Sequence, residues 1–380
     1  MTLFSNKTKQ RKRLLFFYSG TGQFRYGVAE VFRHVLNGLD KERYCPILVI
    51  TGTLDGPIEG LSDDVEVLEL HQVGLRRAFL PLVRASRQIR PHVIVSAMEH
   101  PNALTVLARI ASRHRCKLVL TSHGVFTPRL QFMWAEKHGR MIQRMVRWTY
   151  PLADHVICVS EAVKSDLLRY VPQLVASSVI YNPVLTGTDL PEPNFNNKTK
   201  GLIVTSSRLQ GFKKVDEAIR ALIDLESFYH LVVLGDGPER QRLEALVNEL
   251  GLSNRVAFEG YVDDPFVWYR KAEVFVLPSM WEGFGNVLIE SMAYGCQVIA
   301  NSEAYAPAEV LGHGEFGFLY TGGDSKALAA TIQKAHKYPK SVDLLVDYAW
   351  KFTSKRAAGE YDAVFQALLH QQSLGVLEVH

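Results

Sequence analysis

Two glutamates, Glu282 and Glu290, lie in the part of the chain with the densest chemical signal. Glu282 belongs to a loop that carries Gly283 and Gly285 and follows a predicted strand at Val274 to Leu277. Because glycine has no Cβ, backbone N–H groups and the positive end of the next helix can approach an anion there. Glu290 follows about two turns later, roughly on the same side of that helix. Ionised carboxylates accept hydrogen bonds from paired hydroxyls, so sugar and ribose rings are suitable partners. A glycine-rich loop with ordinary exposed glutamates is the alternative.

Two cations, Arg208 and Lys213, stand in a second loop between a predicted strand and a predicted helix. The planar fork of arginine and the point charge of lysine suit a diphosphate, and together they could neutralise a leaving phosphate. A solvated basic loop is the alternative. The turn Gly235-Asp236-Gly237-Pro238 also follows a strand, and by itself it indicates only a tight connection into a helix.

The first half of the chain contributes weaker signals. Ser19-Gly20-Thr21-Gly22 and Tyr26-Gly27 follow the first predicted strand, and His123-Gly124 follows another. A single histidine is more often structural than catalytic. Its position at the carboxyl end of a strand favours a functional role, because ligands of open α/β sheets bind at that end.

Short apolar segments alternate with amphipathic segments through most of the chain, which is typical of βα units with parallel sheets. Strands are predicted at Leu14 to Tyr18, Pro46 to Ile50, Val65 to Leu70, Val93 to Ser96, Leu118 to Ser122, His155 to Val159, Leu202 to Ser206, Leu231 to Leu234, Val256 to Glu259, Val274 to Leu277, Val298 to Ala300 and Gly317 to Tyr320. Asn182 to Lys200, between the two series, has the composition of a linker. The predicted fold class is therefore α/β, with two Rossmann-like doubly wound parallel-sheet domains facing across a cleft.

The composition excludes several classes of protein. The 380 residues are 47% hydrophobic and 22% charged, which suits a globular chain of about two domains and argues against disorder. No apolar run approaches the ~18 residues of a membrane span. Four widely spaced cysteines indicate neither a disulfide framework nor a zinc site, and no signal peptide is predicted. A cytoplasmic location is expected.

Together these motifs resemble the family 4 type of retaining glycosyltransferases, which have the GT-B fold. Glu282 to Glu290 looks like the family's motif of two glutamates separated by seven residues. Four further segments follow the family's order, namely Arg208 with Lys213, Gly235 to Pro238, Ala153 to Ser160, and Ile180 to Pro183. The resemblance extends from about Tyr26 to Tyr361 and is most specific in the second domain.

The resemblance implies a role for each matching residue. Arg208 and Lys213 would hold the donor diphosphate, and Glu290 would hold the nucleotide ribose. The donor sugar would be held by Glu282 and by the backbone around Gly283, Phe284 and Gly285. The base pocket would be lined at Tyr261 and Val262, Gly27 would approach the phosphate, and His123 would lie near the reacting sugar.

Two residues depart from the family pattern. Tyr26 stands where a first glycine is usual, which puts the close backbone approach to the phosphate in doubt. Lys214 replaces the glycine that usually follows the lysine, so it is open whether Lys213 or Lys214 meets the phosphate. The implied domains are an acceptor domain at residues 1–185 and a donor domain at 186–360, with a helix at about 361–380 returning to the first.

The reaction would displace a nucleoside diphosphate through oxocarbenium-like charge, so the departing phosphate must be stabilised. Arg208, Lys213 and the helix after Gly285 could do this without a metal, and no Asp-x-Asp pair is placed to hold Mg²⁺. We therefore expect no metal or other cofactor. Retention of configuration is implied by the resemblance alone. Because no carboxylate nucleophile is evident, we expect same-face transfer in which the leaving phosphate takes the acceptor proton.

The expected substrates are a nucleotide sugar, with UDP implied by the resemblance, and a glycan or lipid-linked acceptor in cell-surface polysaccharide, lipopolysaccharide or glycolipid synthesis. A nucleotide-sugar epimerase, which needs no acceptor, and a glycan phosphorylase, which needs a pyridoxal lysine that we do not identify, are alternatives on a similar framework. A non-enzymatic two-lobed sugar-binding protein is a third. It would have no use for Arg208, Lys213 and Glu290 together.

The net charge of +4 divides unevenly, because residues 1–185 sum to +11 and residues 186–380 to −7. Arginines accompany apolar residues on two predicted amphipathic helices, at 75–90 and 140–148. This pattern favours peripheral attachment to an anionic membrane, at ~1 kcal/mol per basic residue near the surface. A soluble enzyme with a basic acceptor groove is the alternative, and no nucleic acid partner is expected.

Overall fold

The computed structural model describes residues 11–20, 27–133, 136–174, 176–186 and 198–377. The chain divides into two compact units. Unit 1 comprises Met1–Thr186 and Thr353–His380, and unit 2 comprises Gly187–Phe352. Among the helices of these described ranges, none combines the length and apolar character needed to cross a bilayer.

Unit 1 is built on a parallel sheet. Its strands are β1 (Lys12–Tyr18), β2 (Tyr44–Ile50), β3 (Glu66–Glu69), β4 (Val93–Ala97), β5 (Lys117–Ser122), β6 (His155–Cys158) and β7 (Ser177–Val179). They pair in the order β3-β2-β1-β4-β5-β6-β7. The intervening helices are α1 (Val28–Gly38), α2 (Phe79–Ile89), α3 (Glu99–Ser112), α4 (Phe126–Pro128), α5 (Glu136–Thr149) and α6 (Glu161–Tyr170). Leu14, Leu15, Phe16 and Phe17 of β1 are all fully buried, as expected for a strand covered on both faces.

Unit 2 repeats this architecture. Its strands are β8 (Thr199–Ser206), β9 (His230–Leu234), β10 (Val256–Gly260), β11 (Ala272–Leu277), β12 (Gln297–Asn301) and β13 (Phe318–Tyr320), paired in parallel in the order β10-β9-β8-β11-β12-β13. Its helices are α7 (Val215–Ala221), α8 (Arg240–Glu249), α9 (Phe266–Lys271), α10 (Asn286–Ala293), α11 (Ala306–Val310), α12 (Ser325–Lys337) and α13 (Val342–Ala349). The α/β class with parallel sheets, predicted from the alternation of segments, is confirmed.

Each sheet has one point at which the strand order reverses. In unit 1 the reversal falls between β1 and β4, and in unit 2 it falls between β8 and β11. The loops that leave such neighbouring strands at their carboxyl ends diverge and leave a crevice, where ligands of open α/β sheets bind. The fold therefore selects two places to look for chemistry, one in each unit.

The last helix, α14 (Ser354–Leu377), belongs to unit 1 and packs on α1. The Ser354 hydroxyl lies 2.7 Å from Nδ1 of the buried His34. A Cβ on Gly38 would lie only 2.7 Å from that of Ala358, so glycine allows the two helices to approach closely. Farther along, Asp362 accepts hydrogen bonds from Arg43 and Tyr44. The returning helix thus begins at Ser354, earlier than the 361 expected from the sequence.

Several predicted elements have shifted ends. The helix expected from Leu75 begins at Phe79, because residues 75–78 form a turn, so Arg76 and Arg77 precede the helix. Strand β7 is not predicted, because Ser177–Val179 is too short and too polar to give a strand pattern. Most of the predicted linker, at 187–197, lies outside the described residues.

Candidate active site

The loop that carries Arg208 leaves the carboxyl end of β8 and is held by the glycine turn after β9. Leu209 N donates to Asp236 O at 2.9 Å. A Cβ on Gly235 would lie 2.0 Å from Ser207 O, and one on Gly237 would lie 2.4 Å from Leu209 O. Only glycine permits this approach, and Gly235 also has a φ of 115°. The turn therefore positions the loop, while the Arg208 side chain is exposed.

Lys213 ends a short 3-10 helix, Gly211–Lys213, and its ammonium points back to the loop after β11. Its Nζ lies 2.6 Å from Oε1 of Glu282. The Ser279 hydroxyl donates to the same carboxylate oxygen at 2.7 Å. Lys214 instead has a φ of 52° and a ψ of 35°, the left-handed conformation that favours glycine. Of the two lysines, Lys213 is therefore the one that contacts Glu282.

The β8 and β11 loops are joined by further contacts. Met280 N donates to Phe212 O at 2.8 Å, and the rings of Phe212 and Trp281 stack at 4.7 Å with an interplanar angle of 7°. Glu282 N donates to Ala304 O at 2.9 Å. These backbone bonds fix the main chain on both sides of the Lys213 and Glu282 contact.

The segment Gly283 to Gly285 leads into α10, which begins at Asn286. Gly285 has a φ of 94°, so a residue with a side chain would be strained there. The Phe284 side chain is buried and its ring packs on that of Phe352 with centroids 5.7 Å apart, so this side chain serves packing. The backbone, as the sequence suggested, is the part of this segment that can serve a ligand.

Glu290 lies in the second turn of α10. The Tyr269 hydroxyl donates to Oε2 of Glu290 at 3.5 Å. Tyr269 is fully buried, and burial together with the Glu290 charge raises the pKa of its phenol well above the ordinary value. A tyrosine that stays protonated remains a hydrogen-bond donor, so Tyr269 can orient the Glu290 carboxylate.

Val262 stands two residues beyond β10, half-buried, at the same carboxyl edge of the unit 2 sheet. The turn after β9 is tied to this strand, because Gly235 N donates to Gly260 O at 2.6 Å. Unit 2 therefore brings eight of the predicted donor-site residues to the carboxyl-end side of its sheet. They are Arg208, Lys213, Val262, Glu282, Gly283, Phe284, Gly285 and Glu290.

His123 and Gly27 belong to unit 1. His123 follows β5, and its Nε2 lies 2.8 Å from the Thr121 hydroxyl. Burial lowers the pKa of His123 to about 4, so the ring is neutral near pH 7. Gly27 precedes α1 with a φ of 56° and a ψ of −119°, and a Cβ there would meet no atom within 4 Å. Tyr26, which departs from the family pattern, lies outside the described residues, as do Thr21 and Gly22.

Four residues with a structural part in these sites are missed by the sequence reasoning. Asp166 of α6 accepts hydrogen bonds from the backbone N–H groups of Phe126 and Thr127, which fixes the chain just after His123. The Asn301 amide donates to Ser279 O at 3.1 Å, and Tyr269 contacts Glu290. Asp166 and Tyr269 lie within helices, where the neighbouring sequence gives no motif that would indicate a functional residue. Ser279, three residues before Glu282, could have been found from the turn pattern of serine followed by glutamate.

Two family models match the chain. The model for glycosyl transferases group 1 matches residues 188–352, and the model for glycosyltransferase family 4 matches residues 26–187. The two matches are contiguous and together cover most of the chain.

Curated relatives match over shorter stretches. An N-acetylgalactosamine-N,N'-diacetylbacillosaminyl-diphospho-undecaprenol 4-alpha-N-acetylgalactosaminyltransferase of Campylobacter jejuni is 28% identical, over 58% of this chain and 60% of its own. A lipopolysaccharide 1,6-galactosyltransferase of Escherichia coli K12 is 26% identical, over 50% of this chain and 57% of its own. The chain thus spans somewhat over half the length of these two curated relatives.

Solved structures share the fold over nearly the whole chain. The apo form of the lipopolysaccharide outer core galactosyltransferase WaaB superposes with a TM-score of 0.73 at 19% identity, covering 93% of this chain and 99% of its own. Anabaena HepE in complex with UDP superposes with a TM-score of 0.71 at 20% identity, covering 93% of this chain and 100% of its own. The fold expected from the resemblance is confirmed, and the chain belongs to the family 4 type of GT-B glycosyltransferases.

Proposed function

We propose that this protein is a retaining glycosyltransferase that moves a sugar from a UDP-linked donor to a glycan or lipid-linked acceptor in cell-surface polysaccharide or glycolipid synthesis. The observation that carries the proposal is the contact of Lys213 with Glu282, at the point where the strand order of the unit 2 sheet reverses. This contact places a cation that can bind phosphate beside a carboxylate that can accept hydrogen bonds from sugar hydroxyls. The C. jejuni relative is named for a diphospho-undecaprenol-linked substrate, and HepE was solved with UDP. Both names support this choice of substrates.

Donor binding would change the contacts of the charged side chains in this site. The diphosphate binds the ammonium of Lys213 and the exposed guanidinium of Arg208. The Glu282 carboxylate, released from Lys213, can then accept a hydrogen bond from a hydroxyl of the donor sugar. Glu290, oriented by Tyr269, accepts from the ribose hydroxyls. The cations lie where negative charge grows on the leaving phosphate, so they stabilise the transition state more than the ground state.

We further propose same-face transfer. Oε1 of Glu282 already accepts hydrogen bonds from Lys213 and Ser279, an arrangement suited to holding a sugar and not to attacking it. In this reaction the acceptor oxygen bonds to the anomeric carbon as the bond to the phosphate oxygen breaks, and the acceptor proton passes to that phosphate oxygen. His123 is neutral at pH 7, so its imidazole would either donate a hydrogen bond to a hydroxyl of the donor sugar or accept one from it. Isolation of a covalent glycosyl-enzyme would contradict the scheme.

Metal independence is part of the proposal, because Arg208, Lys213 and the start of α10 supply positive potential toward the diphosphate. Activity should survive an excess of EDTA. Complete loss that Mn²⁺ or Mg²⁺ restores would show that the cations need a metal partner.

A thermal-shift screen of nucleoside diphosphates and nucleotide sugars tests the donor assignment. We expect UDP or a UDP-sugar to raise the unfolding temperature of the native protein, and to raise that of Glu290→Ala much less. Arg220→Ala is a matched control, because Arg220 is an exposed arginine of α7 in the same unit. If no nucleotide stabilises the native protein, the donor assignment is wrong.

Peripheral attachment to an anionic membrane, at the inner face of the cytoplasmic membrane, is the remaining part of the proposal. On α5 the apolar Met141 and Trp148 are 50% and 76% exposed, next to the exposed Arg144 and Arg147. Exposed apolar and basic residues on one helix suit the lipid interface. We expect co-sedimentation with phosphatidylglycerol vesicles and weaker binding by Trp148→Ala. Absence of binding at moderate salt would refute membrane attachment.

A further inference from the structure

Unit 1 has a cavity of about 790 Å³ between the carboxyl ends of β1 and β4, where the strand order of its sheet reverses. Its lining includes Ser19 after β1, and Glu99 and His100 at the start of α3. The loop before α2 closes one side with Arg76 and Arg77. Every lining residue within the described part of the chain belongs to unit 1.

The inner part of the cavity is polar and close to neutral. Glu99 is only 6% exposed, and its Oε1 lies 2.5 Å from Nη1 of Arg129, so the two charges balance. The ring of His100 stacks on that of His138 with centroids 5.8 Å apart. Burial lowers the pKa of His100, which makes it neutral near pH 7. This part offers hydrogen-bonding groups that suit sugar hydroxyls.

The entry to α3 is strained. Met98, which connects β4 to α3, has a φ of 72° and a ψ of 152°, a conformation that residues other than glycine rarely adopt. The turn at Met98 places Glu99 and His100 in the lining. Strain of this kind persists where the surrounding structure enforces it, and it is concentrated at ligand sites.

The rim has the opposite character, because it carries unbalanced positive charge. Arg76 and Arg77 are both exposed, and within the described part of the chain neither guanidinium has a carboxylate or hydrogen-bond partner. Two arginine forks on one loop are suited to the oxygens of a phosphate or diphosphate. The same loop exposes apolar surface, since Val73 is 80% exposed and Leu80, at the start of α2, is 60% exposed.

We propose that this cavity binds the phosphorylated head group of the acceptor. The phosphates lie on Arg76 and Arg77, and the adjoining sugar lies over Glu99, Arg129 and His100. The inference rests on the proposed transferase function and specifies the acceptor as a sugar phosphate or diphosphate. The phosphate can come from a lipid-linked or a soluble acceptor, and the exposed Val73 distinguishes the two, since only a lipid would bury it.

The test is titration calorimetry on the full chain saturated with UDP, so that the donor site is already filled. The probes are inorganic pyrophosphate and farnesyl diphosphate. We expect both to bind the native protein, and Arg76→Ala/Arg77→Ala to bind each at least about tenfold more weakly. Arg84→Ala removes an exposed arginine from α2 outside the cavity lining and should bind as the native protein does.

The outcomes separate the two proposals. Failure of UDP itself to bind would refute the donor assignment. Normal UDP binding with no pyrophosphate binding, or pyrophosphate binding that the double variant retains, would refute the head-group site. If farnesyl diphosphate binds more tightly than pyrophosphate and Val73→Ser abolishes the difference, the acceptor is lipid-linked. Equal binding of the two probes, lost in the double variant, supports a soluble phosphorylated acceptor.

Discussion

The contact between Lys213 and Glu282 predicts how UDP affinity depends on the negative charge of Glu282. Without a donor, Lys213 is held by the carboxylate of Glu282 at 2.6 Å, and the two side chains are only 18% and 14% exposed. A diphosphate must draw the ammonium away from this partner and then lie near the carboxylate. Glu282→Gln keeps the shape and a hydrogen-bond acceptor for Ser279 but removes the negative charge. We therefore expect Glu282→Gln to bind UDP more tightly than the native protein.

The magnitude follows from the geometry. Coulomb attraction at this separation is about 6 kcal/mol with an effective dielectric constant of about 20, and the desolvation of both groups offsets most of it. A hydrogen bond to a charged group is worth about 1.5–3 kcal/mol, against about 0.5–1.5 kcal/mol for a neutral one. Replacing the first by the second lowers the cost of releasing Lys213 by about 1–2 kcal/mol. UDP should then bind about 5- to 30-fold more tightly.

Sugar transfer should change in the opposite direction. The donor sugar hydroxyl loses a charged acceptor, so kcat/KM should fall about 10- to 100-fold even though UDP binds better. Calorimetry with UDP and initial rates of UDP release from the donor sugar measure the two effects separately. Ser279→Ala is the control, since it removes a hydrogen bond from the same carboxylate oxygen and keeps the ion pair, and its UDP affinity should stay within about threefold. Unchanged or weaker UDP binding by Glu282→Gln would refute the reasoning.

Three further predictions follow from single residues. Lys214→Gly should raise the free energy of unfolding by up to about 1 kcal/mol, because it relieves a left-handed lysine, and it should leave UDP affinity unchanged if Lys213 is the contacting lysine. Arg208→Ala should weaken UDP binding about tenfold while thermal unfolding stays unchanged, because the side chain is exposed; loss of stability would contradict this. Burial lowers the pKa of His34 to about 4, so as the pH falls from about 6.5 to 4 the unfolded chain takes up a proton that the folded chain resists. Native stability is therefore complete above about pH 6.5 and should drop by about 3 kcal/mol through this window from His34 alone. Denaturant unfolding of His34→Asn at pH 7.5 and 4.5 should show a smaller drop than the native protein.

The positions of the candidate donor-site residues of unit 2 in the fold could be predicted from sequence, because these residues follow the carboxyl ends of strands. Parallel strands have their carboxyl ends on one side of the sheet, which allows two loops about 70 residues apart in sequence, around Lys213 and Glu282, to lie together. The choice between Lys213 and Lys214 could not be made, because it depends on one backbone angle at Lys214. Tyr269 was missed for a different reason, since a buried tyrosine in an amphipathic helix has the pattern of a core residue. The cavity in unit 1 could not be predicted from sequence either, because it depends on the backbone conformation of Met98 and on the start of α2 at Phe79, after Arg76 and Arg77.

The structure gives the charge asymmetry of the sequence a physical meaning. In unit 2 the charges of the candidate site nearly balance, because Lys213 is paired with Glu282 and the positive Arg208 is offset by the negative Glu290. In unit 1 the excess is on surfaces, at Arg76 and Arg77 on the cavity rim and along α5. Salt screens exposed charges over a Debye length of about 8 Å at physiological ionic strength, and it screens partly buried pairs much less. Raising the salt from about 0.05 to 0.5 M should therefore weaken acceptor and vesicle binding far more than UDP binding. Equal salt sensitivity of the two would mean that donor affinity rests on long-range charge and not on the contacts around Lys213.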